Sequence, residues 1–411
     1  MKNASRSALI SLLSEACELE HGLACSYLYA AFTLKLSVSE NDLTWQEFQS
    51  LRIWAGQLYF IASQEMMHLS QAWNLLTAIG GTPYYMRPNF PQGHKYYPIG
   101  LPLKLEPFGR RALKRFTFYE LPSHVSDTAF LEKEFRIKLS AIEKAFTVGK
   151  LYTEIRACFN AIPQDELFIG DKSLQVGADI CHFNEIVKVT DRESANRAID
   201  TIMEQGEGNS NDQVDCHYGL FVRLDKELDQ LEQAARTRSG KFEPARPAIE
   251  DPITSFDRNM GPQGAHKIED PYTNDVAILF DNVYSLMLRM LQYVFQSGPV
   301  PADGQRRFAE AAIQIMARAL KPLGEALTLL PAGPSYPGKT AGPAFGLYRH
   351  VSLPADFNAA TIMVNERFEE LIAEGRKLST HPKAPAVLLS GISKLEDIAN
   401  RLMFTPKPIT V

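Results

Sequence analysis

Apolar residues recur along this chain at steps of three, four or five over long stretches, the spacing that lines one face of an α-helix. Leu9, Leu12, Leu13, Ala16, Leu19, Leu23, Leu28 and Phe32 predict a helix over 8–36. Phe48, Leu51, Ile53, Trp54, Leu58, Ile61, Met66, Leu69, Trp73 and Leu76 predict a second over 44–79, stopped by Gly80-Gly81-Thr82-Pro83. Residues 83–111 hold many Pro, Tyr and Gly and read as an irregular insertion. A third helix is expected over 126–162, closed by Pro163. After a mixed stretch over 164–190, a short helix is expected over 192–206, broken at Gly206 and Gly208, and another over 213–235. Residues 237–272 have little periodicity and many Pro and Gly, as a linker would. Helical spacing returns over 274–296, 305–330, 355–377 and 386–403, with a Pro/Gly loop at 331–345. Period-two strand patterns are sparse.

The expected fold class is therefore mainly α: a four-helix bundle with a long insertion and a further helical C-terminal region. The expected organisation is a bundle over 1–236, a linker over 237–272 and C-terminal helices over 273–411.

The polar residues that interrupt the apolar faces carry the candidate chemistry. Glu65-Met66-Met67-His68 puts a carboxylate and an imidazole at i, i+3 on one side of the second helix, beside Leu58, Ile61, Leu69 and Trp73. In the first helix Glu20 follows Ala16 by four residues and precedes Leu23 by three. In the third, Glu154 has Leu151 at i−3 and Cys158 at i+4. His217 has Val214, Leu220, Phe221 and Leu224 around it. Between them stands Glu204-Gln205-Gly206-Glu207-Gly208. Helical phase from Ile199 and Met203 favours Glu207 as the inward carboxylate, with Glu204 the second choice. An isolated buried carboxylate is costly, but several together can hold a metal ion. Carboxylate and imidazole without thiolate suit Fe or Mn better than structural Zn. Pairing a Glu on one helix with Glu-x-x-His on another is the repeated unit of carboxylate-bridged di-iron bundles. The expected ligand set is Glu20, Glu65, His68, Glu154, Glu207 and His217, holding two Fe per chain, with Mn the alternative.

Composition narrows the classes. Of 411 residues, 45% are hydrophobic and 22% charged, as in ordinary globular proteins. The net charge of -5 gives no attraction to nucleic acid or anionic membrane, and no partner of either kind is expected. No run of about 18 apolar residues suggests a membrane span. The five cysteines, an odd number without a Cys-x-x-Cys pair, are expected to be reduced and buried, in keeping with a cytoplasmic protein. Neither a Gly-x-Gly-x-x-Gly fingerprint nor a Gly-x-Ser-x-Gly elbow occurs, and nucleotide binding and hydrolase chemistry are not expected. Arg110, Arg111 and Arg115 are expected on a solvated face.

Leu19-Glu20-His21, Tyr27-Leu28-Tyr29-Ala30, Glu65-Met66-Met67-His68-Leu69 and Ala78-Ile79-Gly80-Gly81-Thr82-Pro83 occur in an order that resembles the ferritin-like domain of the iminophenylpyruvate dimer synthase family. Leu151-Tyr152-Thr153-Glu154-Ile155, Glu204-Gln205-Gly206-Glu207-Gly208 and His217-Tyr218-Gly219-Leu220-Phe221 continue the likeness, which covers roughly residues 8–230. The resemblance implies a ferritin-like bundle with metal ligation by Glu20, Glu65, His68, Glu154 and His217. It also implies an enzyme of the class that couples oxidised tryptophan-derived imines in bisindole pigment pathways. Taken together, the expectation is a di-iron oxidase or oxygenase of secondary metabolism. It would use O₂ on a small organic substrate, and a homodimer is the expected assembly. The rival readings are an iron-storage protein and a non-catalytic helical interaction protein.

Overall fold

The computed structural model describes residues 4–37, 40, 43–93, 101–122, 133–136, 147–206, 208, 215–257, 261–296 and 302–402. Helix α1 (Arg6–Thr33) starts where the Ser5 side chain accepts from Ala8 N–H at 3.2 Å. Helix α2 (Trp45–Ala78) starts at a reciprocal cap: Thr44 Oγ1 accepts from Glu47 N–H, and Glu47 Oε2 accepts from Thr44 N–H at 2.7 Å. The two long helices form an antiparallel hairpin and pack along their lengths. Gly80, with φ +82°, ends the second of them in the left-handed conformation that glycine adopts without strain.

Helix α3 (Arg110–Tyr119) lies within a stretch for which the apolar spacing predicts no helix. It pairs with α6 (His217–Thr237), and these two close the bundle against α1 and α2. Helices α4 (Val148–Ala161) and α5 (Arg192–Gly206) pack on α1 and α2 from outside. Of the third helix expected over 126–162, α4 is the last part; Arg136, at φ +55°, is not helical, and residues 126–132 and 137–146 lie outside the described residues. Arg115 on α3 is not solvated. It is 1% exposed and grips Glu106 with Nε to Oε2 at 2.8 Å and Nη2 to Oε1 at 3.2 Å.

The C-terminal half is α7 (Pro271–Gln296), α8 (Ala302–Gln314), a π-helical turn Ile315–Leu320, α9 (Lys321–Leu327), α10 (Phe357–Ser379) and α11 (Ala386–Leu402). Its core is continuous with that of the bundle. Trp73 meets Phe295 edge-on with ring centroids 5.2 Å apart, and Phe32 stacks on Phe345 at 6.3 Å. Gly324 lies flat on the Phe32 ring, where an added Cβ would come within 2.5 Å of Cδ2.

Residues 237–272, expected as a linker, are laced between the two halves in their described part. Lys35 N–H donates to the Pro244 carbonyl at 2.9 Å and Arg246 N–H to that of Thr33 at 2.8 Å. The Tyr29 hydroxyl donates to the Ile249 carbonyl, and Asp251 takes Leu105 N–H on Oδ1 at 2.8 Å. A two-residue parallel ladder, β1 (Pro252–Ile253) with β2 (His266–Lys267), completes the segment.

One octapeptide spells a phosphate-loop spacing: Gly333-Pro334-Ser335-Tyr336-Pro337-Gly338-Lys339-Thr340. In the structure no strand leads into it and no helix follows it. Its backbone closes on itself instead, with Tyr336 N–H to the Gly333 carbonyl and Ala332 N–H to that of Lys339. The strand–loop–helix setting that aims amides at a phosphate is missing, and nucleotide binding gains no support. No helix among the described residues is long and apolar enough to cross a membrane. All five cysteines are buried and none is in a disulfide.

Candidate metal centre

Two groups of ligand-type side chains meet inside the bundle, Glu20 with Glu65 and His68, and Glu65 with Glu120 and His217. Within each group the ligand atoms lie within 4.8 Å of one another. Helix α1 supplies Glu20, α2 supplies Glu65 and His68, the C-terminal end of α3 supplies Glu120, and the first residue of α6 is His217. The five are between 1% and 4% exposed.

Glu65 belongs to both groups and divides its oxygens between them. Oε2 lies 2.9 Å from His68 Nδ1 and Oε1 lies 2.9 Å from His217 Nδ1. Glu20 Oε2 stands 3.5 Å from His68 Nδ1, and Glu120 Oε1 stands 3.7 Å from His217 Nδ1. The two imidazoles are 5.7 Å apart, centroid to centroid. The site is thus two carboxylate–imidazole halves joined by one carboxylate.

Its outer contacts orient these groups. Tyr152 on α4 donates to Glu20 Oε1 at 2.5 Å, and Tyr27 on α1 donates to Glu120 Oε1 at 2.5 Å. Gln205 on α5 donates through its amide nitrogen to Glu185, which leaves its oxygen to accept from His68 Nε2 at 2.8 Å. His217 Nε2 likewise donates to Gln64 Oε1 at 3.1 Å. Both rings therefore carry a proton on Nε2 and turn Nδ1 to the centre, which fixes the tautomer a metal ligand needs.

Burial pushes the Glu20 carboxyl up to about 7, although His68 pulls the other way. For His217 burial opposes a charged ring, yet Glu65 and Glu120 outweigh it and raise the ring to about 9. Burial likewise opposes charge on His68, and Glu65 and Glu20 hold it well above the usual imidazole range. Glu65 is pushed up by burial and by Glu120, but His217 and His68 win and hold it below the usual carboxylate range. Three buried acids need positive charge, and here only protons on the two rings supply it.

The donor set fits a metal ion. Glu65 Oε1 and His217 Nδ1 are buried and 2.9 Å apart, yet neither has a hydrogen-bond partner, because the angle between them is wrong. A buried carboxylate oxygen and a buried ring nitrogen left without partners are atoms that a cation displacing the ring proton would satisfy. Oxygen and imidazole donors without thiolate suit iron or manganese.

Of the sequence-predicted residues, the structure brings Glu20, Glu65, His68 and His217 together. Glu154 is half-buried on α4 and joins neither group; the residue that α4 delivers is Tyr152, two positions earlier. Glu204 is exposed and lines a shallow surface groove with Lys188, Arg197 and Asp200. Glu207 lies outside the described residues. The carboxylate that apolar spacing does not reveal is Glu120. Its signal was local: it follows Phe116 by four residues, directly before Leu121-Pro122. Gly206 faces it, and a Cβ there would lie 3.2 Å from Glu120 Oε2, so the glycine leaves room for the carboxylate.

Comparison with known proteins follows this geometry. The ferritin-like family model matches residues 13–226. The chain is 25% identical to a dichlorochromopyrrolate synthase of Lentzea aerocolonigenes over 92% of its own length and 40% of that protein. It is 27% identical to a 2-imino-3-(indol-3-yl)propanoate dimerase of Chromobacterium violaceum, over 91% of its length and 37% of that protein. The chain thus spans about two fifths of the length of these curated relatives. A crystal structure of a ferritin-like protein from Caulobacter vibrioides superposes with a TM-score of 0.45 at 16% identity, covering 75% of this chain and 94% of that one.

Proposed function

The chain belongs to the ferritin-like family, and on that premise we propose that it is a metal-dependent oxidase or oxygenase of a small organic substrate in secondary metabolism. The metal is two iron ions per chain, manganese being the alternative. Glu20, Glu65, His68, Glu120 and His217 would hold them, Glu65 being the residue common to both groups. The observation that carries this reading is the divided Glu65 carboxylate, one oxygen toward each imidazole, with a second acid behind each ring.

Redox metal ions at this position supply electron transfer between O₂ and the substrate. The chain's own residues supply the rest. Tyr152 holds Glu20 by Oε1 and leaves Oε2 to face His68, and Tyr27 holds Glu120 by Oε1, the same oxygen that faces His217. Gln205 and Gln64 keep the imidazoles from turning. Leu23, Leu58, Ile61, Leu69, Phe116 and Phe221 are buried in the same core, and with bulk water excluded the carboxylate charge is costly until a cation balances it. The His68–Gln205–Glu185 chain of hydrogen bonds ties the ring at the centre to an exposed carboxylate and holds its orientation.

The relatives are named as enzymes, a dichlorochromopyrrolate synthase and a 2-imino-3-(indol-3-yl)propanoate dimerase, which supports an enzyme here over a storage protein. Metal analysis of protein purified after iron loading tests the proposal. About two Fe or Mn per chain is the expected result, and His68→Ala should lose metal while keeping its helical circular dichroism. No bound metal after loading overturns it.

A further inference from the structure

Away from the metal centre, helix α7 and the segment 346–351 enclose a cleft of about 260 Å³. Arg289 and Asn282 stand on its helix side, Tyr348 and Arg349 on its segment side, and Phe256 at its edge. From these we infer that the cleft is a binding site for a small aromatic carboxylate, its acid group taken by the two arginines and its ring by Phe256 and Tyr348.

The charges carry the argument first. Neither Arg289 nor Arg349 has an acidic partner among the described residues, whereas others such as Arg110, Arg115 and Arg246 are held by carboxylates. Arg289 Nε is buried with no hydrogen-bond partner at all. A guanidinium left in that state inside a cleft is a donor awaiting a planar anion, which its fork can grip with two bonds. The acid in the lining does not supply that anion. Asp281 turns one oxygen to Gly346 N–H at 2.9 Å and the other to the Tyr348 hydroxyl at 3.2 Å. Both its oxygens are thereby engaged away from the arginines. Burial also pushes this carboxyl up to about 7, so near neutrality it repels an incoming anion only weakly.

The aromatic half rests on a separate observation. Phe256 is 54% exposed, among the most exposed large apolar side chains described, and its ring lies 6.0 Å from that of Tyr348 at a tilt of 42°. The two rings form an open corner rather than a closed stack, and a third ring entering the cleft covers apolar surface on both. Tyr348 is held in place: its hydroxyl meets Thr254 Oγ1 at 2.6 Å and Asp281. Gly346 makes that corner buildable, since a Cβ would sit 2.6 Å from Asp281 Oδ2 and closer still to the Tyr348 hydroxyl.

Size sets the remaining limit. The volume is just under the roughly 300–1,000 Å³ usual for small-molecule pockets, which suits an amino-acid-sized molecule and excludes a nucleotide or a peptide. The inference stands independently of the metal centre, because none of its residues belongs to that site.

Isothermal titration of the full chain with indole-3-acetate tests it. The expected result is saturable one-site binding that weakens about tenfold in Arg349→Ala and in Arg289→Ala, and about fivefold in Phe256→Ala. The uncharged methyl ester should bind about tenfold more weakly than the acid. Arg349 and Phe256 are exposed, so their variants keep the fold even if Arg289→Ala does not. Three outcomes overturn the inference: no binding of the acid, binding indifferent to Arg349→Ala and Phe256→Ala, or an ester that binds as well as the acid. Inorganic phosphate displacing the probe at equal concentration also overturns it, because the cleft would then select charge without the ring.

Discussion

Replacing Glu120 by glutamine separates a metal-centre role from a packing role, because the two have different signatures with and without metal. The amide has the shape of the acid, and its oxygen still accepts from the Tyr27 hydroxyl, now 2.5 Å from Glu120 Oε1. What disappears is one negative charge. In the metal-free protein that loss cuts both ways: Glu65 is freed of a like charge nearby, while the His217 ring loses an acid 3.7 Å away. At an effective dielectric near 20, each such interaction amounts to about 4 kcal/mol at about 4 Å, and the two have opposite sign. The metal-free variant should therefore match the parent within about 1 kcal/mol. With metal the balance tips one way. Loss of an anionic ligand should weaken binding about 100-fold, removing about 2.7 kcal/mol of metal-dependent stabilisation. The assay is scanning calorimetry with and without Mn(II), an air-stable stand-in, together with a metal titration. Glu154→Gln is the control and should change neither. The reasoning is refuted if Glu120→Gln destabilises the metal-free protein as much as the loaded one, or if Glu154→Gln is the variant that loses metal.

Three further outcomes can be checked. Asp281→Asn should change how stability depends on pH. The native carboxyl titrates at about 7 against an ordinary 3.8, so the folded state holds its proton longer and stability falls as pH rises through that window. The variant escapes that loss and should gain on the parent between pH about 4 and about 8, by up to about 4 kcal/mol, in urea titrations at the two ends; equal slopes would refute this. Gly324→Ala should lower stability by about 1–3 kcal/mol in thermal melts, since its methyl must displace the Phe32 ring. Arg115→Met leaves Glu106, 2% exposed, with Arg111 Nε at 3.2 Å in place of the two-bond grip, and should cost about 3 kcal/mol, most of it recovered in Arg115→Met with Glu106→Leu; an unaffected single variant would contradict the buried-pair reading.

Helices α1 and α2 were legible because each runs for seven turns or more with its apolar stripe in phase, and Glu20, Glu65 and His68 could be placed on it by counting. His217 was legible for the same reason, through Leu220, Phe221 and Leu224. Helix α3 was not. It is ten residues long, its Arg115 is buried against Glu106, and a charged residue on an inner face looks like a surface position until its partner is known. With α3 unseen, Glu120 had no helix to be placed on. On α4 the count was sound as far as it went, since Leu151, Ile155 and Cys158 are buried. Neighbouring Tyr152 and Glu154 lie on the two flanks of that stripe, and period alone does not say which flank faces Glu20. The packing of 237–272 was hidden because it depends on hydrogen bonds to Thr33, Leu105 and Thr340, which leave no periodic trace.

The grip of distant segments on α1 has a consequence for how the protein is made. Tyr29 and Phe32 leave the ribosome early, but Ile249, Gly324 and Phe345, which cover them, follow more than 200 residues later. At about 5–20 residues per second of synthesis, that is a wait on the order of 10–60 s. Throughout it, the end of the first helix has the Tyr59 ring of α2 beside Phe32 but lacks the later segments that complete its cover. The nascent protein therefore depends on a chaperone or on slow translation in a way that a self-contained bundle does not, and its yield should respond to both.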